Sequence, residues 1–248
     1  MDLGLSGRMA IVGGASSGLG LATAESLAQE GARVVMFARR RDVLEREAER
    51  IGGIPVVGDV REPDDIVRAV DTAIEAGGGI DILVPNSGGP PPSRAETISA
   101  EDVQAAVELL LLPVVRLVNL ALPHLISSGR GRIVLISSLA VREPSANLAL
   151  TNSVRPGVVG YMKSLANELG RHGITVNSVG PGRLMTPRLM ELYGQDGPPA
   201  DEVARIPAQR LGEPRELGDL VAFLCSTRAS YISGTHIPVD GGLYRGLL

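Results

Sequence analysis

Residues 9–30 read MAIVGGASSGLGLATAESLAQE: a short apolar run, a turn holding four glycines, and a helical pattern. This order constrains the fold more than any other stretch. A continuous apolar run of this length is what a strand buried on both faces requires. Glycines let the chain reverse tightly, and the helix that follows packs back on the strand. The same alternation then repeats along the chain. Strands are predicted at 9–12, 33–37, 54–57, 82–84, 132–137, 175–179 and 235–239, and helices at 19–30, 42–50, 63–75, 100–126, 150–171 and 214–224. Runs of βαβ units of this kind predict an α/β fold, a Rossmann-type doubly wound sheet of seven parallel strands. No repeat of solenoid length interrupts the pattern. No linker divides the chain, so residues 1–248 are expected to form a single domain.

Composition narrows the function classes. Apolar residues make up 44% of the chain and Trp is absent, so a large core must be aliphatic. A formal charge of −4 gives no electrostatic reason to expect a nucleic-acid or anionic-membrane partner. Cys225 is the lone cysteine, which excludes an intrachain disulfide. The first residues lack a signal-peptide layout. The greasiest stretch, 107–126, is interrupted by Pro113, Arg116, Pro123 and His124, so no membrane span is expected and the cytoplasm is the default location. His124, His172 and His236 have no metal-ligand spacing, and no metal site is predicted. Two segments fall outside the alternation: the Pro/Gly loop 88–94, and residues 181–207, a long stretch expected to act as a mobile lid.

The turn GGASSGLG offers Gly14, Ser16, Ser17, Gly18, Leu19 and Gly20 to a pyrophosphate, because backbone N–H groups and a helix N-terminus favour an anion. The second strand ends in Arg39-Arg40-Arg41 with no acidic residue. Arg39 at that point accommodates the 2′-phosphate of NADP, where an acid would take the ribose of NAD. NADP is the expected cofactor, with NAD as the alternative.

Further motifs, in order, make the chain resemble the short-chain dehydrogenase/reductase family over essentially its whole length. Gly14, Gly18 and Gly20 keep its G-x-x-x-G-x-G spacing, although Gly13 stands where the family usually has a bracing Thr. Asp59-Val60 resembles its adenine-contacting pair. Asn86 and Gly88 survive from its Asn-Asn-Ala-Gly segment. Pro181, Gly182, Leu184 and Thr186 match its nicotinamide-side Pro-Gly-x-Ile-x-Thr run, and residues 237–242 match its last strand and turn. In the family a Ser is followed thirteen residues later by Tyr-x-x-x-Lys, with an Asn in the fourth helix. Here Ser138 is in place, but Thr151, Arg155 and Leu110 fill the other three positions. The pattern is similar to a divergent 3-oxoacyl-reductase-like branch that lacks the full catalytic set.

The chemistry explains why this departure matters. The resemblance implies that Ser138 holds the substrate oxygen while a Tyr–Lys pair handles the proton. A phenol has a pKa of about 10, within reach of tuning by a neighbouring cation. The hydroxyl of Thr151 is a far weaker acid. Arg155 shares a helix face with it and could keep a ribose contact, but a guanidinium with a pKa above about 12 passes no protons. Tyr161 lies about 280° further round the same helix and Tyr193 falls in the 181–207 segment, so neither is an obvious substitute. Arg142, Glu143, Asn147 and Asn152 surround the expected pocket.

Two readings follow. One is an oxidoreductase acting on a small-molecule carbonyl or alcohol through an atypical site. The other is a non-catalytic dinucleotide- or ligand-binding protein. Family resemblance also implies a homotetramer, with apolar surface at 109–112 and 243–248.

Overall fold

The computed structural model describes residues 1–194 and 196–247. Its strands are β1 (Met9–Gly13), β2 (Arg33–Ala38), β3 (Ile54–Val57), β4 (Ile82–Val84), β5 (Arg132–Ile136), β6 (Thr175–Pro181) and β7 (His236–Val239). They pair in the order β3-β2-β1-β4-β5-β6-β7, every neighbour parallel. The order reverses between β1 and β4, which opens a crevice at their C-terminal ends.

Side chains alternate across the strands and fill two cores. On one face Ile11, Leu83, Ile133 and Val176 pack under α3 (Pro63–Gly77), α4 (Ala100–Leu110), α5 (Leu112–Ser128) and α6 (Ala149–Leu169). On the other, Val12, Val84 and Val134 pack under α1 (Gly18–Gln29), α2 (Arg41–Ile51) and α9 (Pro214–Cys225). The predicted helix 100–126 is two helices. Pro113 has no N–H for the carbonyl of residue 109, so the ladder breaks at Leu111 and a second helix begins. The 181–207 segment also carries structure. Thr186 accepts the Leu189 N–H and caps α7 (Pro187–Tyr193), and α8 (Ala200–Ala204) follows; Gln195 lies outside the described residues.

The end of the sheet away from the crevice is held by charge. Asp81 accepts the Met9 N–H, the Ser128 hydroxyl and the Arg130 guanidinium, joining the start of β1 to the end of α5. Burial alone would raise its pKa. The Ser128 hydroxyl, the Met9 N–H, Arg8 and Arg130 outweigh that and hold it below the usual carboxylate value. Asp81→Asn is expected to cost about 2 kcal/mol in urea unfolding, the scale of hydrogen bonds to a charged group. Because the folded pKa is depressed, this stability is present above the unfolded value of about 3.9 and lost as pH falls through the folded one. The gap between parent and variant should therefore close in acid, and a constant gap would refute the assignment.

Candidate active site

The glycine-rich turn closes on β4 at the point where strand order reverses. Asn86 donates its side-chain amide to the Gly13 carbonyl at 3.1 Å. A Cβ at Gly13 would lie 2.5 Å from the Asn86 carbonyl oxygen, so here the turn is braced from β4 rather than by a residue-13 side chain. Gly14 and Gly18 adopt left-handed backbone angles, φ 60° and 57°. Gly20 must be glycine for another reason: a Cβ there would sit 2.3 Å from the Gly14 carbonyl oxygen.

Beyond the turn, α1 begins with no side-chain cap at Ser17 and no acid in its first turn. Its first N–H groups are therefore open to an anion. Leu19 packs against the core on the α1 side. The hydroxyls of Ser16 and Ser17 instead accept from Arg40, at 3.2 and 2.6 Å. The two neighbouring arginines are placed differently. Arg39 points toward Asp59, 3.8 Å away, with most of its side chain in solvent, while Arg40 reaches back over the loop. Asp59 is occupied chiefly by Arg61, whose hydrogen bonds hold its carboxylate below the usual range.

Opposite the turn, Gly182 donates to the Val239 carbonyl and Leu184 pairs with Gly212, which fixes the stretch leading from Pro181 to Thr186. Thr186 and Pro187 come down on Gly18, where an added Cβ would meet them at 3.5 and 3.7 Å. From α7, Arg188 donates to the Pro90 carbonyl at 2.7 Å and ties this cover to the 88–94 loop. At Gly88 an added Cβ would meet only open space.

Ser138 follows β5 and caps a short 3-10 turn, Leu139–Val141, by accepting the Ala140 N–H at 3.1 Å. That bond fixes its oxygen and leaves its proton to donate. Thr151 and Arg155 do share the face of α6 turned toward β5. Thr151 is buried, and its hydroxyl makes no hydrogen bond to any described residue. Arg155 donates to the carbonyls of Ile136 and Ser137 and has no carboxylate partner among the described residues. Burial, with Arg188 nearby, pushes its pKa down to about 10. It is a weaker base than the sequence reading held, yet still a cation at neutral pH. Val60, Asn86, Leu110, Ser137 and Arg155 line a narrow cavity of about 20 Å³, room for one water-sized group.

The remaining candidates sort by contact. Asn152 clamps the Ser145 backbone with both ends of its amide, which is a structural duty. Asn147 supplies a left-handed turn, φ 57°. Arg142 donates to the His236 carbonyl and lies over the Tyr244 ring, and the Glu143 N–H bonds the Leu139 carbonyl. Tyr193 stacks under Arg183, and burial raises its pKa, so it is not a tuned acid. Tyr161 packs on the apolar cluster, as its angular position required. Sequence reasoning missed Arg40, Arg188 and Ser137. The arginine triplet held the signal for Arg40, and the Thr186-Pro187 helix start held it for Arg188.

Comparison with known proteins places this geometry in context. The family model described as enoyl-(acyl carrier protein) reductase matches residues 14–244. The 3-oxoacyl-[acyl-carrier-protein] reductase FabG of Vibrio cholerae is 34% identical over 244 residues, covering 98% of this chain and 99% of that protein. Dehydrogenase/reductase SDR family member 4 of Oryctolagus cuniculus is 32% identical over 244 residues, covering 96% and 94%. The structure of L-sorbose reductase from Gluconobacter frateurii, complexed with NADPH and L-sorbose, superposes with a TM-score of 0.92 at 33% identity, with both chains fully covered.

Proposed function

Because the chain belongs to the short-chain dehydrogenase/reductase family, we infer that it is an NADP(H)-dependent oxidoreductase acting on a small-molecule carbonyl or alcohol. The observation that carries the cofactor choice is Arg40 resting on Ser16 and Ser17, a cation delivered to the mouth of a phosphate-binding turn. The residues present fit the group: open N–H donors on α1, glycines at the points of close approach, and a covering residue in Thr186. Gly14, Gly18 and Gly20 would receive the pyrophosphate and Arg40 the 2′-phosphate. Asp59 and Val60 would border the adenine, and Asn86, Arg155 and Thr186 the nicotinamide half. Bound there, NADP(H) supplies or accepts a hydride.

The chain's own part is to hold the substrate oxygen and handle its charge. Ser138, fixed by Ala140, donates to that oxygen, and the Arg155 cation favours the negative charge that develops nearby. No phenol, carboxylate or imidazole is among the described residues that border the narrow cavity beside Arg155. The active site is thus atypical in its proton donor, not in its oxyanion contacts. That same feature favours the second reading, a binding protein without turnover.

The discriminating experiment is NADPH binding by fluorescence together with NADPH oxidation or NADP reduction against a carbonyl and alcohol panel. Binding with turnover supports the enzyme, and binding alone supports the second reading. Arg40→Asp should weaken NADPH at least about 10-fold, the scale of one charge-assisted contact, and leave NADH nearly unchanged. Arg39→Asp should do less. Equal affinities of the parent for NADPH and NADH would overturn the cofactor assignment.

The assembly read from the resemblance is a homotetramer. Supporting it, the helix pair Ala100–Ser128 has an 18-residue apolar window of which only 39% is buried, and Leu120 and Ile126 face solvent. By length and composition alone this pair could cross a membrane, but α5 also packs Val118, Ala121 and Leu125 into the core. Subunit contact is the simpler cover for the rest. In the C-terminal run, Leu247 is exposed and Leu248 lies outside the described residues. A monomer by light scattering at micromolar concentration would refute the tetramer.

A further inference from the structure

His236 sits at the start of β7, opposite Ser178 of β6, with Nδ1 2.9 Å from the Ser178 hydroxyl, which also lies within a longer 3.4 Å reach of the Thr235 carbonyl as a donor. Its Nε2 is buried and has no partner among the described residues. The ring reaches toward Gly180: a Cβ there would lie 2.5 Å from Nε2 and 3.4 Å from the Ser138 carbonyl carbon. Only a glycine at position 180 leaves room for this imidazole. The next strand brings a second orphan. Ser137 donates its N–H to the Val179 carbonyl, so it stands beside Gly180 on the sheet. By strand alternation from Ile133 and Leu135 its side chain faces the α6 side, the face shared by Val176 and Ser178. The Ser137 hydroxyl is likewise buried without a partner among the described residues. Two unpaired polar groups therefore flank a gap created by a glycine, an arrangement that costs stability unless a water joins them.

Each end of this pair opens on a space. Ser137 lines the narrow cavity beside Arg155. His236 and Ser178 line a second cleft of about 290 Å³ behind the sheet, large enough for several waters. The charged groups on that cleft are Arg142 after β5 and Lys163 on α6, and no carboxylate borders it among the described residues.

We propose that His236 is the proton-relaying residue of this enzyme, linking solvent in the rear cleft, through Ser178 and a bridging water, to Ser137 and the cavity beside Arg155. It rests on the oxidoreductase reading and acts through Ser137 rather than by touching substrate. In the reductive direction the substrate oxygen gains a proton from a water in the cavity, which regains one from the Ser137 hydroxyl. Ser137 is restored by the bridging water, and that water by Nε2–H. As the Nε2–H bond breaks, Nδ1 takes the Ser178 hydroxyl proton, and water in the rear cleft replaces it, releasing hydroxide to solvent; proton exchange with water then returns the ring from its Nδ1–H to its Nε2–H form for the next turnover. The oxidative direction reverses each transfer. Burial, aided by Arg142, lowers the ring's pKa to about 4, which keeps it neutral near pH 7 with one N–H and one lone pair, as a shuttle needs.

The test has two independent readouts. In the cofactor-free protein, ¹⁵N NMR should show a hydrogen-bonded Nε2 whose resonance moves in Ser137→Ala; an Nε2 indifferent to Ser137 would overturn the proposal. In turnover, His236→Ala should lower kcat on the order of 100-fold, leave NADPH affinity unchanged and lose its solvent deuterium isotope effect. Added imidazole should restore kcat, while 1-methylimidazole, the same ring without an N–H, should not. Equal rescue by both would show that the ring merely fills space, and an undiminished kcat would show that it does nothing. Should His236→Ala fail to fold, Gly180→Ala keeps the imidazole but pushes it from the gap, and must lower kcat in the same way. A parent that binds NADPH yet turns over no carbonyl or alcohol would remove the oxidoreductase reading itself, and this relay with it.

Discussion

Gly20→Ala is expected to weaken NADPH binding by about 100-fold or more, the scale on which a displacement near 1 Å disrupts a positioned site. The new Cβ would stand 2.3 Å from the Gly14 carbonyl oxygen and 2.8 Å from that of Gly13. Both are backbone atoms, so no side chain can swing aside, and the turn itself must move away from the helix. That carries Ser16 and Ser17 off the path of Arg40 and misaligns the first N–H groups of α1. On helix propensity alone the change has the opposite sign, since Ala is favoured over Gly by up to about 1 kcal/mol. A fluorescence titration beside a melting curve separates the two effects. Unchanged NADPH affinity would mean that the turn does not receive the pyrophosphate.

The same turn shows why much of this fold was legible in the sequence. Buried parallel strands need continuous apolar runs, and glycines mark where backbone meets backbone, so β1, its turn and α1 announce themselves. All seven strands fall where the runs lie, because each run is too short and too apolar for anything but the middle of the sheet. What stayed hidden depends on side-chain direction and tertiary contact. Arg39 and Arg40 are neighbours, and only the backbone turn that starts α2 sends the second toward Ser16 and Ser17. The short helices of the 181–207 segment have too few residues to show a period, and α7 exists because Thr186 caps it and Arg188 holds Pro90. Positions 138, 151 and 155 were readable as a set through the resemblance. That Arg155 would spend its donors on the carbonyls of Ile136 and Ser137 was not. His236 was set aside for lack of metal-ligand spacing, and only the space at Gly180 shows what it faces.

Ser138→Ala should lower kcat on the order of 100-fold, because it removes one fixed donor to the oxygen on which charge develops. The change also takes the acceptor from the Ala140 N–H, so a melting curve is needed beside the kinetics to separate a loosened turn from a lost donor. Ala140 N–H occupies a lone pair of the Ser138 oxygen, so the hydroxyl hydrogen is directed away from the turn and no other described group is deprived of a donor. Thr151→Val, by contrast, should leave kcat nearly unchanged, since the Thr151 hydroxyl bonds no other described residue and an aliphatic alcohol is too weak an acid to replace a phenol. The two results together locate the proton source elsewhere, which is where Ser137 and His236 enter. A family-type mechanism with Thr151 as the acid predicts the reverse order: a steep loss for Thr151→Val, and a loss for Ser138→Ala that does not exceed it. Steady-state kinetics at saturating NADPH on the two variants decide between these orders, with the solvent isotope effect as a check that proton transfer still limits turnover. A large loss from Thr151→Val with none from Ser138→Ala would assign the oxygen contact to α6 and leave Ser138 with only its turn to cap.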